Sequence, residues 1–453
     1  MGVNISDWRL AKIVSKLGQQ GTVSGVALEK VMVIMLQMGD LGGHLRRALA
    51  SFPFPHISQK VLREYFVEGG SPDGTVLKRA PFFTAKPSEM LASATVCANY
   101  AFVWLAKEGH TGLVSINFLE KIAMPHLWAI FGAMLAGVDF VSMGAGIPLQ
   151  VPGVINNFSI GKEATYYVPV IGETVTSQMM RFDPVELCGG ELKNLLPLKK
   201  PGFIPIIASN LLASILVKKL PEGSIYGFVI EEPTAGGHNA PPRRGGVYGP
   251  DDVVNYPKIA KFGLPFWIGG SYASPEKLSW ALSVGAKGIQ VGSIFALCED
   301  SGMDSQIRVK VRELGYKGEL KVRTDMRISP SGFPFKVVVL DGTISEQSIY
   351  EGRVRICDRG ALVSLYEKPD GTIGYRCGSE PVETFVRKGG SVEETVGRGC
   401  LCNGLLATAG LAFENKHEPP IVTLGDDYSF LKYLMTDANG SYTAADVMKY
   451  FLG

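Results

Sequence analysis

The stretch Ile230-Glu-Glu-Pro-Thr-Ala-Gly-Gly-His-Asn-Ala-Pro-Pro-Arg-Arg-Gly245 decides the fold, because an apolar run gives way there to two glycines and then a histidine. Residues 226–230 read as a buried strand, which puts His238 at that strand's C-terminal mouth. Paired glycines let backbone approach a flat ligand closely, and an imidazole beside it can move protons near neutral pH. Taken alone, the same residues equally describe a turn with a solvent-facing histidine.

The pattern recurs twice downstream. Pro265-Phe-Trp-Ile-Gly-Gly270 is a short apolar run ending in two glycines, followed by a helix start with Ser274 as N-cap and Pro275 at the first position. Gly285-Ala-Lys-Gly-Ile-Gln-Val-Gly-Ser293 then gives another strand ending in Gly292 and Ser293. In a (β/α)8 barrel, phosphate commonly sits on the loops after strands seven and eight, where backbone N–H groups hold a dianion without Lys or Arg. Two such loops, one unit after a histidine loop, favour a phosphorylated cofactor.

Counting outward tests this. Short apolar runs at 21–25, 113–118, 138–144, 204–209, 226–230, 265–269 and 288–292 alternate with helical patterns at 8–17, 27–38, 87–107, 125–136, 210–219, 256–262 and 275–284. Such alternation over roughly 300 residues implies a parallel α/β sheet of the TIM (β/α)8 class, with an eighth strand expected just before Met1. Residues 45–87 and 151–200 exceed a minimal barrel, and the run 164–170 suggests an extra hairpin.

The composition narrows the function. A net charge of +2 suggests neither nucleic acid nor a charged membrane surface as partner, and the 46% hydrophobic content suffices for a barrel core plus a second unit. Seven cysteines at scattered spacings fit a reduced compartment, and with no basic-plus-apolar leader the expected location is cytoplasmic.

Ala235-Gly-Gly-His238, Ile268-Gly-Gly270 and Gln290-Val-Gly-Ser293 together resemble the nitronate monooxygenase, or 2-nitropropane dioxygenase, group of FMN-dependent barrels, which includes flavin-type enoyl-acyl-carrier-protein reductases. The resemblance runs from Met1 to about residue 300. It implies an FMN-binding barrel over 1–300 and a smaller α+β extension over 301–453 packing near the barrel mouth. It also implies that Gly269, Gly270, Gly292 and Ser293 bind the FMN phosphate, that Asn117 faces the flavin ring, and that Ser209, Ala235, Gly236 and Gly237 line its edge. Met1, left from the family's Gln-Gly-Gly-Met loop, is placed against the flavin, and His238 is the catalytic acid or base. The implied activity is oxidation of a small nitronate with O2 to a carbonyl compound and nitrite. The alternative is NAD(P)H-dependent reduction of an enoyl thioester, and a homodimer is compatible with both. Two other classes stay open: a non-redox barrel enzyme using the same phosphate loops, and a binding partner within a biosynthetic complex.

The last third carries Arg323-Thr-Asp-Met-Arg-Ile-Ser-Pro-Ser-Gly-Phe-Pro-Phe-Lys336, similar to a segment that in longer relatives folds back near the active-site mouth. Arg323, Arg327 and Lys336 are there either to meet an anionic substrate or as a solvated basic loop. Cys357, Cys377, Cys400 and Cys402 have spacings that suit no zinc knuckle, so free buried thiols and no metal are expected. His44, His56, His110, His126 and His417 lie in no comparable glycine loop and are expected to be ordinary surface or core residues.

Overall fold

The computed structural model describes residues 2–72, 74–412 and 418–453. Seven parallel strands form one curled sheet: β1 (Gly21–Ser24), β2 (Val114–Leu119), β3 (Phe140–Gly144), β6 (Gly202–Ile207), β7 (Phe228–Glu231), β8 (Phe266–Gly269) and β9 (Gly288–Gln290), in that order. The insertion adds β4 (Ala164–Ile171) and β5 (Ser177–Phe182), and the last third adds β10 (Lys321–Asp325), β11 (Phe335–Val339), β12 (Ser364–Glu367) and β13 (Ile373–Arg376).

Helices cover the sheet because their ends are written locally. Asp7 accepts hydrogen bonds from the N–H groups of Arg9 and Leu10 at 2.9 and 3.1 Å to open the helix Trp8–Lys16. Ser209 opens Asn210–Lys219, and Ser274 opens Pro275–Ser283 with proline in its first turn. The strands are short and apolar, since both faces of a parallel sheet are covered; β3 is buried along its whole length. One layer inside the curl is apolar and comes from alternate strand positions: Phe140, Ile204, Ile206 and Val229, with Trp267 against them. The next layer toward the C-terminal ends aligns Glu231, Gly269 and Gln290 across β7, β8 and β9.

Two expectations meet the structure differently. The seven runs all become strands, but among the described residues none pairs with the free sides of both β1 and β9, so the sheet is an open half-barrel rather than a closed eight-stranded one. The hairpin foreseen at 164–170 does form, with β4 and β5 antiparallel. Its other edge pairs in parallel with β12, through Leu365 opposite Val170 and Tyr366 opposite Ile171. The insertion and the last third therefore share a four-stranded sheet, β13-β12-β4-β5. One hydrophobic cluster likewise runs from Val3 to Val447.

Candidate functional site

A cavity of about 620 Å³ runs from the C-terminal ends of the strands through the inside of the curl to the gap between β1 and β9, within the range of small-molecule and cofactor sites. The loop after β8 and the loop after β9 form one wall. Gly270 has φ +105°, and a Cβ there would stand 2.9 Å from the Glu232 Cβ, so only glycine lets this turn pack on its neighbour. Ser271 follows at φ +57°, unusual for a residue with a side chain, and its Oγ is buried without a hydrogen-bond partner. A hydroxyl buried without a partner in a strained turn costs roughly 1–3 kcal/mol. Across from it, the Ser293 Oγ accepts the Gly425 N–H at 2.8 Å, which leaves its own proton to donate.

The opposite wall is the loop Ala235-Gly-Gly-His238. It is held from far along the chain. His238 forms an isolated antiparallel bridge with Phe335, with Lys336 N–H donating to the Gly237 carbonyl at 2.9 Å and Asn239 N–H to the Pro334 carbonyl at 3.0 Å. The imidazole packs edge-on against Phe335 at 4.9 Å, and its Nε2 lies 2.7 Å from the Ser329 Oγ, itself 2.7 Å from the Ser331 Oγ. Burial, reinforced by the Lys121 ammonium, lowers the His238 pKa to about 3, so the ring is neutral at physiological pH.

Residues 423–426 join the two walls. Gly237 N–H donates to the Thr423 Oγ1 at 2.8 Å, Gly425 N–H reaches Ser293, and Asp426 N–H donates to the Thr234 carbonyl at 3.0 Å. Gly425 is required at the crossing, where a Cβ would stand 2.8 Å from the Thr234 carbonyl oxygen.

The cavity thus brings together Asn117, Ala235, Gly236, Gly237, His238, Gly269, Gly270, Gly292 and Ser293. Asn117, 6% exposed, donates through Nδ2 to the Ser142 Oγ at 3.0 Å, which fixes its amide at the end of β2. Ser209 stands apart from the cavity wall, its Oγ accepting the Leu212 N–H at 3.0 Å as a helix cap. Met1 and His417 lie outside the described residues. The segment 323–336 does fold back on the histidine loop, yet its cations are used elsewhere: Lys336 pairs with Asp426 at 2.7 Å, Arg323 with Asp325 at 3.4 Å, and Arg327 is exposed.

Sequence reading missed three contributors. Ser271 and Glu231 are inside motifs already quoted, but nothing local marks a hydroxyl as orphaned or a strand-end carboxyl as cavity-facing. Burial raises the pKa of Glu231 above the ordinary carboxylate range. Ser329 is visible only through its contact with a residue 91 positions away.

The donor set fits a phosphate. Glycine backbone at 269, 270 and 292 and the Ser293 hydroxyl, beside the unpaired Ser271, offer neutral donors in one wall, which suits a flavin phosphate, and most of the remaining lining is apolar. Among the described residues, no group of three or more His, Cys, Asp or Glu side chains is disposed to hold a metal ion.

No family model matches the chain, and no curated protein matches it. Among solved structures, a point mutant of FabK from Thermotoga maritima is 16% identical over 76% of each chain, with a TM-score of 0.39. A nitroalkane oxidase from Streptomyces ansochromogenes is 11% identical over 74% of each chain, at 0.38. The enoyl reductase domain of MlnA, from the macrolactin biosynthesis cluster of Bacillus amyloliquefaciens, is 11% identical over 78% of this chain and 65% of its own, at 0.37. These neighbours are oxidoreductases of the nitronate monooxygenase/2-nitropropane dioxygenase-like FMN barrel family. With every TM-score below 0.5, the chemistry of this chain has to rest on its own residues.

Proposed function

We propose that the chain is an FMN-dependent oxidoreductase that oxidises small alkyl nitronates with O2. One observation carries this reading: a single cavity joins a glycine-serine wall with an orphaned hydroxyl, Ser271, to a buried neutral histidine, His238. Gly269, Gly270, Ser271, Gly292 and Ser293 would hold the FMN phosphate, Asn117 would face the ring, and Ala235, Gly236 and Gly237 would line its edge. The same reading makes 1–300 a (β/α)8-type FMN unit and 301–453 an extension at its mouth.

Bound FMN would supply the electron transfer; the protein supplies position and proton control. The neutral imidazole, oriented by Ser329, can hydrogen-bond a nitro oxygen or accept a proton from the carbon beside it. Phe335 and the bridge behind it keep water from that side of the ring. A nitronate is already an anion and needs no proton removed. Overall, two nitronates and one O2 give two carbonyl compounds and two nitrites.

The second reading, NAD(P)H-dependent reduction of an enoyl thioester, needs a proton delivered to carbon. An imidazolium is costly where burial holds the pKa so low, and a preformed nitronate, unlike an enoyl thioester or a neutral nitroalkane, requires none, which favours the nitronate reading. Purified protein reconstituted with FMN and supplied with propionate 3-nitronate in air is expected to release nitrite. Saturation of crotonyl thioester with NAD(P)H, without nitrite release in the first assay, would reverse the order. A protein that takes up no FMN would remove both.

A further inference from the structure

Residues 423–427, which cross between the two walls, carry two adjacent carboxylates that go opposite ways. Asp426 pairs with Lys336 at 2.7 Å, beside the histidine loop. Asp427 pairs with Lys277 at 2.6 Å, and the same ammonium donates to the Ser271 carbonyl oxygen at 2.5 Å. Lys277 lies in the first turn of the helix Pro275–Ser283, which begins just beyond the glycine-serine turn. The other Asp427 oxygen accepts the N–H and the hydroxyl of Ser429 at 3.0 and 2.6 Å, which fixes the carboxylate in place. Asp427 lines the cavity, as Ser271 does, while Lys277 joins the two from outside the lining. Both side chains are half-buried, so their charges are only partly screened by water. A carboxylate thus borders the wall that suits a dianion, and the ammonium that answers it is shared with the backbone of that wall.

We propose that Lys277 and Asp427 set the charge of the phosphate wall with opposite signs. Lys277 is a positioning residue: it holds the Ser271 turn by its carbonyl and places a positive charge behind it. Asp427 is the opposing charge, which lowers the affinity of the wall for a dianion while fastening residues 423–427 to it. The inference rests on the FMN reading above, in which the phosphate lies on Gly269, Gly270, Ser271, Gly292 and Ser293. Burial acts against ionisation of Asp427, but the hydrogen bonds from Lys277 and Ser429 outweigh it and hold the carboxyl below its ordinary pKa, so it is charged at neutral pH. Riboflavin has the same ring as FMN without the phosphate, so the pair acts on FMN and leaves riboflavin alone. Opposite signs at two bonded residues separate charge from packing, because loss of a merely structural contact weakens binding whichever partner is removed.

The test measures the dissociation constants of FMN and of riboflavin, by flavin fluorescence, for the full-length chain and three variants. Lys277→Met is expected to weaken FMN about tenfold and to leave riboflavin within about twofold. Lys277→Arg, which keeps the charge, should recover most of that loss. Asp427→Asn should tighten FMN by about 2–5-fold, again without moving riboflavin, and both effects should shrink as salt is raised. A parent that prefers FMN, with variants that leave this preference unchanged, would sink this proposal alone. So would an Asp427→Asn chain that binds FMN more weakly, since the pair would then be only a structural tie. A parent that binds the two flavins equally, or neither of them, would remove the phosphate assignment and this inference together.

Discussion

The two walls of the cavity are built by opposite strategies. The wall after β8 and β9 is local: its glycines and serines lie within a span of 25 positions, 269–293, and their geometry follows from backbone freedom and a capped helix. The histidine wall is assembled at a distance, because Phe335, Ser329 and Thr423 hold His238 and its loop in place. The glycine-serine wall is therefore a product of short motifs, whereas the histidine wall belongs to the folded chain.

Substitutions can separate the two walls. The largest effect on flavin binding is expected for Gly270→Asp, which puts a side chain against Glu232 at positive φ and a negative charge where phosphate would bind. Loss of FMN retention on gel filtration, on the order of a hundredfold in affinity, is expected; a folded variant that keeps its flavin would dissolve the distinction. His238→Ala should do the reverse, retaining flavin while turnover of a neutral nitroalkane falls roughly 10²–10⁴-fold. Oxidation of a preformed nitronate should fall less, and equal small losses for both substrates would make His238 a turn residue only. Ser329→Ala, removing the 2.7 Å contact with Nε2, is expected to cost about 2–10-fold in nitroalkane turnover with FMN affinity unchanged.

The smallest effect is a pH dependence. Burial raises the pKa of Glu231, so the native state binds this proton more tightly than the unfolded chain does. Its stabilising share is complete below the unfolded carboxylate pKa and is lost as pH rises through the elevated native value. Glu231→Gln, which mimics the protonated form, should melt about 2 °C above the parent at pH 8 and coincide with it near pH 4. A constant offset across that range would mean the carboxyl is not held in its neutral form.

The contrast between the walls also explains what could be read from the sequence. Strand and helix positions were legible because apolar runs and caps such as Ser274-Pro275 are written within a few residues. Gly269, Gly270, Gly292 and Ser293 lie in equally short motifs, and all four line the cavity. Ser329 was not legible, since a serine in a turn is chemically unremarked until the fold brings it to an imidazole. Ser209 shows the converse: the family resemblance drew it into the site, but its hydroxyl is spent on the Leu212 N–H. The pairing of β12 with β4 was illegible too, because neither run names its partner.

The crossing of residues 423–426 between the two walls has a consequence for the life of the molecule. Chains grow from their N-termini, and the strands of the curled sheet can associate in the order in which they appear. The residues that lock the histidine loop are made 91 to 186 positions after the loop itself. A nascent chain that ends before Thr423 would hold Gly269, Gly270 and Gly292 but lack a residue that seats the histidine loop, so under the proposed function a ribosome stalled there should carry a flavin-binding but catalytically silent polypeptide.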